Sequence, residues 1–146
     1  MKRFSTIVGL GLLMAAADLQ AAEPGTLFVH LGGGAGVEAI ASQLIDAAVA
    51  DPKLGRSFKD SNLKRVKQHL AEQFCKLSGG GCAYTGDDMR EVHAGHDISE
   101  AEFYGLVDLL NGIMKARGIA TTDRNRLLAL LAPMKRDVVH VPTDNR

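Results

Sequence analysis

Tryptophan is absent from this chain, and two tyrosines with five phenylalanines leave few large rings to fill a core. Neither charge predominates: lysine plus arginine and aspartate plus glutamate each number 17. That balance excludes the electrostatic footprint of a nucleic-acid-binding protein. No apolar run approaches the roughly 20 residues a bilayer-spanning helix needs. Alternation of apolar and polar residues is too short for a sheet, with "TLFVHL" at 26–31 the one candidate strand. Gly32, Gly33, Gly34 and Gly36 precede a helical pattern, but no G-K-[ST] follows and the spacing misses G-x-G-x-x-G. A glycine-rich hinge between two helices explains them better than a phosphate loop.

What is present begins with a targeting pattern. Lys2 and Arg3 open the chain, Ile7 to Ala17 is an apolar run, and Ala21-Ala22 offers small residues for cleavage. This is the grammar of a secretory signal peptide over residues 1–22, with a buried N-terminal helix as the other reading. Asp18 interrupts the run, so no stable membrane anchor is expected, and no cysteine follows that could carry a lipid. Cutting after Ala21 removes two of the 17 basic residues and one of the 17 acidic, leaving 15 against 16 and a net charge of −1. The local cluster Lys64, Arg65, Lys67 reads as a solvated helix face or a small anion-facing patch.

Export implies an oxidising compartment, the periplasm or beyond, where two cysteines can pair. Cys75 and Cys82 flank "KLSGGG", whose glycines permit a sharp reversal, so a disulfide bracing a helix end is expected if the α-carbons come within reach. Two unpaired thiols are the alternative, and zinc is weaker, because a paired C-x-x-C pattern is missing. No C-x-x-C-H occurs either, which excludes covalent c-type haem attachment.

The rest of the chain, a single domain at 27–141, reads as all-α. Ile40, Leu44, Ile45 and Val49 form a helical face within residues 38–50. Leu63, Val66, Leu70, Phe74 and Leu77 repeat at threes and fours until the glycines at 79–81. Ser99 with Glu102 predicts a capping box opening a helix through Phe103, Leu106, Val107, Leu110, Ile113 and Met114, closed by Gly118. Thr122 or Asp123 is expected to cap a last helix, which Pro133 bends or restarts.

Three of the five histidines invite a chemical reading. His30 and His140 lie near the domain ends and read as surface residues. His69 stands three residues after Val66 and one before Leu70, beside the apolar stripe of its helix. His93 and His96 follow in "MREVHAGHDIS", between two long helices. With Asp97 the three could bind zinc, but only one close pair exists and its surroundings are apolar. An aliphatic pocket with one or two imidazoles suits haem better, since porphyrin needs apolar walls and its iron a neutral nitrogen ligand.

The whole domain resembles a group I truncated haemoglobin, and within that family the exported subset carrying a cysteine pair. The likeness is carried, in order and without gaps from about Leu31 to Val139, by "HLGGGAGVEAI", "VADPKLGRSF", "LSGGGCAYTGDDMREVHAGHDISEAEF" and "LLALLAPMKRDVV". It implies a two-over-two helical sandwich around haem b (protoporphyrin IX iron), with the glycines at 32–33 and 79–80 permitting the shortened fold. His93 matches the proximal iron ligand and Phe58 the phenylalanine that packs on the porphyrin. Met89, Ile98 and Phe103 become pocket walls. The positions that usually offer a hydrogen-bond donor to bound oxygen hold Ile45, Val66 and Leu70, none of which can donate. A donor contributes roughly 1.5–3 kcal/mol to a charged acceptor, so its absence argues against tight oxygen retention. His69 matches the position that supplies a second iron ligand in cyanobacterial members, although its ring could instead meet a haem propionate or water. Met134 replaces the histidine that bonds a haem vinyl in those proteins. His96 reads as a neighbour at the haem edge or surface.

The implied function is an exported haem protein, six-coordinate through His69, that binds O2, NO or CO or exchanges electrons with an unidentified redox partner. It fits an oxygen- or haem-binding protein better than a dedicated enzyme. Nitric-oxide detoxification or peroxidase-like turnover is the second reading; it needs an electron donor, and the sequence contains no reductase domain. Non-catalytic haem capture, or a haem-free helical interaction domain, is the third.

Overall fold

A computed structural model describes residues 25–140. The expected signal peptide, with Lys2, Arg3 and its cleavage near Ala21, lies outside the described residues, as does position 141. "TLFVHL" forms no strand. Thr26 caps a one-turn helix, α1 (Leu27–His30), its side chain accepting the Val29 N–H at 3.4 Å while Leu27 enters the core. A local cap and one buried leucine decide this segment, which has no strand partner among the described residues.

Helix α2 (Gly33–Ala50) starts five residues before the apolar periodicity at 38. The glycine cluster is therefore partly hinge and partly the first turn of the helix. Gly32 takes φ +94°, and a Cβ at Gly36 would sit 2.0 Å from the Leu31 carbonyl oxygen, so neither position accepts a side chain without movement. A 3-10 turn follows at Gly55–Phe58, then α3 (Leu63–Ser78), capped by the Asn62 side chain accepting from Arg65 N–H at 3.1 Å. Gly79, at φ +90°, ends it, and the Gly80 N–H returns to the Cys75 carbonyl at 2.8 Å. Cys75 and Cys82 are bonded, with α-carbons 5.7 Å apart.

Helix α4 (Met89–His93) is one short turn capped by Asp88. Helix α5 (Glu100–Ala116) opens with both halves of the expected capping box, Ser99 Oγ accepting from Glu102 N–H and Glu102 accepting from Ser99 N–H at 2.8 Å. Helix α6 (Thr121–Leu131) departs from expectation: it starts after Ala120 with no side-chain cap, and Asp123 lies inside its first turn. The Asp123 carboxylate instead meets His30 Nδ1 at 3.0 Å, tying α6 to α1. Pro133 stands in a 3-10 turn, Ala132–Met134, after which α7 (Lys135–Val138) resumes the helix.

α2 packs most extensively on α3 and next on α5, while α5 also meets α6 and α3 meets α6. Two helix pairs thus stack face to face, the all-α two-over-two arrangement expected, and no strand occurs among the described residues. The seam holds Ile40, Ala41 and Leu44 of α2, Phe74 of α3, Leu110 and Met114 of α5, and Leu127 of α6, all essentially buried. Each large side chain there contributes roughly 1.5–3 kcal/mol relative to exposure. No described helix is long and apolar enough to cross a membrane.

Candidate functional site

Below that seam the helix pairs part into an apolar cleft. Its larger chamber, about 220 Å³, lies between α2, α3, α4 and α5 and reaches the 3-10 turn at 132–134. A second chamber of about 130 Å³ shares Phe58, Val66, Val92, His93, Phe103, Leu106 and Val138 with the first, so the two are halves of one cleft. A roomier groove of about 420 Å³ runs outside α2 and α3, but Glu38, Lys64, Lys67 and Glu72 line it and no histidine does. Of the basic cluster there, Lys67 is paired with Asp46 at 2.6 Å.

The cleft gathers most of the residues singled out in the sequence. His93, His69, Phe58, Ile45, Val66, Leu70, Met89 and Phe103 line the larger chamber, and Ile98 lines the smaller. His96 is half-buried at the smaller chamber. His30 and His140 stand apart on the surface. No group of three or more His, Cys, Asp or Glu side chains is placed to hold a metal ion among the described residues. The zinc alternative, with Asp97, therefore has no geometry behind it.

His93 is prepared for one task. Its Nδ1 lies 2.7 Å from the Met89 carbonyl oxygen, four residues back in the same turn. A carbonyl can only accept, so Nδ1 carries the proton and Nε2 keeps a free lone pair. Burial holds the His93 pKa below its usual value, against an upward pull from the Met89 carbonyl and with a small further lowering from His96. The ring is therefore neutral, oriented and lined up with an apolar chamber. That is the donor chemistry an iron porphyrin asks of a protein, so the residues present fit the expected haem.

The turn after His93 is fastened from outside. Arg56, in the first 3-10 turn, donates to Glu102 Oε1 and Oε2 at 2.7 and 2.8 Å, and to the carbonyls of His96 and Asp97 at 3.1 and 3.0 Å. Asp97 is the one non-glycine residue with positive φ (+50°) among the described residues, a conformation disfavoured for a side-chain-bearing residue. Glu102, bonded first by Arg56 and then by Ser99, has its pKa lowered to about 2.

His69 is held differently. It is half-buried on α3, its ring edge-on to Tyr84 at 6.0 Å. Gly86 lies so close that a Cβ there would stand 2.9 Å from His69 Nδ1 and 2.5 Å from the Tyr84 hydroxyl. Ile45 of α2, and Val66 and Leu70 on the same helix as His69, present hydrocarbon only.

Two polar wall residues escaped the sequence reading. Gln73 lines the larger chamber and its Nε2 lies 3.5 Å from both Met89 Sδ and Met134 Sδ, which are weak acceptors. It is three residues after Leu70 and four after His69, so the helical period alone places it on this face. Tyr84 also lines the chamber, with its hydroxyl donating to the Asp87 carbonyl at 2.8 Å. Burial, then nearby Asp87, Glu72 and Asp88, raise its pKa and keep the phenol protonated. Tyr84 belongs to an irregular segment, where no periodicity signals orientation.

A family model described as bacterial-like globin matches residues 26–140. Among curated proteins the chain is 27% identical over 122 residues to the group 1 truncated haemoglobin GlbN of Mycolicibacterium paratuberculosis, covering 84% of this chain and 90% of that protein. It is 24% identical to the GlbN of a Nostoc species, over 79% of this chain and 98% of that one. In fold it is similar to the ferric truncated haemoglobin of Tetrahymena pyriformis, with a TM-score of 0.75 at 21% identity, covering 80% of this chain and 99% of that one. The 2/2 haemoglobin of a Synechococcus species, which carries covalently attached haem, aligns with a TM-score of 0.72 at 19% identity over 78% and 98% of the two chains.

Proposed function

The chain belongs to the bacterial-like globin family, and on that premise we propose that it is a haem b-binding truncated haemoglobin. In this reading the haem is six-coordinate, with His93 as the proximal ligand and His69 on the opposite side, and the protein works in the periplasm. It binds O2, NO or CO reversibly, or passes single electrons to a redox partner. The observation that carries the proposal is His93: a half-buried neutral imidazole whose Nδ1–H is fixed on the Met89 carbonyl while its ring lines an apolar cleft. Haem, when bound, supplies the iron that takes a diatomic ligand or an electron. The chain's own residues set the terms.

Phe58, Leu106 and Phe103 give the cleft hydrocarbon walls. Met89 fixes the His93 tautomer, and Arg56 anchors the turn behind it. Ile45, Val66 and Leu70 give a bound ligand no hydrogen bond, the Tyr84 hydroxyl is engaged by the Asp87 carbonyl, and Gln73 rests on the weak acceptors Met89 and Met134. Such a site favours ligand or electron exchange over storage of oxygen. Export is supported by the residue pattern at 1–22 and by the Cys75–Cys82 bond, which suits an oxidising compartment.

Titration of the purified protein with haemin tests this. A Soret band that saturates at one haemin per chain, with a low-spin ferrous spectrum after dithionite and displacement by CO, is expected. No specific haemin binding would reject the proposal and leave a haem-free helical domain.

A further inference from the structure

The irregular segment between α3 and α4 does more than connect them. It leaves α3 at Gly79, is bonded back to that helix through Cys82–Cys75, and then runs along the helix past His69. A second tie lies further on, where Glu72 accepts from both the Thr85 N–H at 2.9 Å and the Thr85 hydroxyl at 2.8 Å. Gln68 donates to the other oxygen of the same carboxylate at 2.9 Å, which fixes Glu72 on the helix surface. The Tyr84 hydroxyl, bonded to the Asp87 carbonyl, closes the segment on itself. Between these ties, Tyr84 and Gly86 lie directly against the His69 ring.

From this we infer that residues 82–88 form a strap that positions His69, with Tyr84 and Gly86 as its contact points and the Cys75–Cys82 bond and Glu72 as its fastenings. The inference rests on the six-coordinate reading above. A histidine within a helix has about two open staggered settings of its first side-chain torsion, because the third clashes with the preceding turn. The strap occupies space that an outward-turned ring would need, so it removes the solvent-facing setting. Gly86 lies on the Nδ1 side of the ring, which leaves Nε2 as the nitrogen able to turn to the chamber. Gly86 is required by that closeness, because any side chain there collides with both His69 and Tyr84. The strap thus sets how readily an exogenous ligand displaces His69.

The test uses the haem-loaded full chain in four forms: wild type, Tyr84→Ala, Cys75→Ser/Cys82→Ser, and His69→Ala. The fraction of low-spin six-coordinate haem is read from the absorption spectrum, and the rate at which CO replaces the internal ligand is read by rapid mixing. Freeing the ring to about two settings lowers the equilibrium for His69 ligation roughly twofold. Tyr84→Ala and the double serine variant are both expected to show that loss, with CO replacement faster by a similar factor. If His69→Ala opens the site but Tyr84→Ala leaves the low-spin fraction unchanged or raised, the strap is overturned while six-coordination survives. If His69→Ala leaves the spectrum as in the wild type, both readings fall. Tyr84→Ala keeps the test decisive if the disulfide variant does not fold.

Discussion

The two histidine-bearing walls of the cleft are built to different standards of rigidity. On the α4 side, His93 is tied to its own turn by the Met89 carbonyl, and the following residues are clamped by Arg56 to Glu102. On the α3 side, His69 meets a ring edge and a glycine. One wall fixes a tautomer and an orientation; the other only limits where a ring can turn. If both imidazoles hold haem as proposed, His93 would be the fixed ligand and His69 the exchangeable one.

The largest effect is expected from removing the proposed fixed ligand. His93→Ala is expected to weaken haem retention by about 100-fold or more, since even outer partners of metal ligands change affinity by about 10–100-fold. Transfer of haem to excess apomyoglobin measures it, and His69→Ala should lose far less. If both variants lose haem equally, the asymmetry is absent.

Next in size is the staple of the α3 side. Closing so short a loop stabilises the fold by about 2 kcal/mol on the chain-entropy account. Cys75→Ser/Cys82→Ser is expected to lower the denaturation free energy by that amount in urea titration of the haem-free protein. On the α4 side, Ser99→Ala removes one half of the capping box and should cost about 1 kcal/mol in the same measurement.

The pH dependence is smaller and separates the walls by residue. Glu102 has its pKa lowered from 4.5 to about 2, chiefly by the Arg56 hydrogen bond. A lowered carboxyl pKa stabilises the fold above the unfolded value, and that contribution disappears as pH falls from about 4.5 towards 2. Glu102→Gln should therefore flatten the acid limb of stability between those values. The neutral-pH spectrum of the His69 side should stay as it is. An acid limb identical to wild type would show that the Arg56 clamp contributes nothing.

Much of this was legible in the residues, for identifiable reasons. Helical periodicity located α2, α3 and α5, and the Ser99–Glu102 spacing marked the start of α5. The family resemblance pointed to His93, Phe58 and the aliphatic positions, which the fold gathers at one cleft. What escaped depends on contacts remote in sequence. Arg56 reaches 40 residues ahead to the His96 carbonyl, and Asp123 turns 93 residues back to His30 instead of capping α6. Tyr84 reaches the chamber only because its segment is fastened at Cys82 and Thr85. Gln73 is a different case: the period placed it on the right face, and its polarity disguised it.

The proposal that two unequal imidazoles face one haem can be read from electron paramagnetic resonance of the ferric protein. A low-spin bis-imidazole spectrum is expected in the wild type, a high-spin spectrum in His69→Ala, and loss of the bis-imidazole signal in His93→Ala, whose haem is more weakly held. A wild-type spectrum that is already high-spin, or one that His69→Ala leaves unchanged, would contradict it.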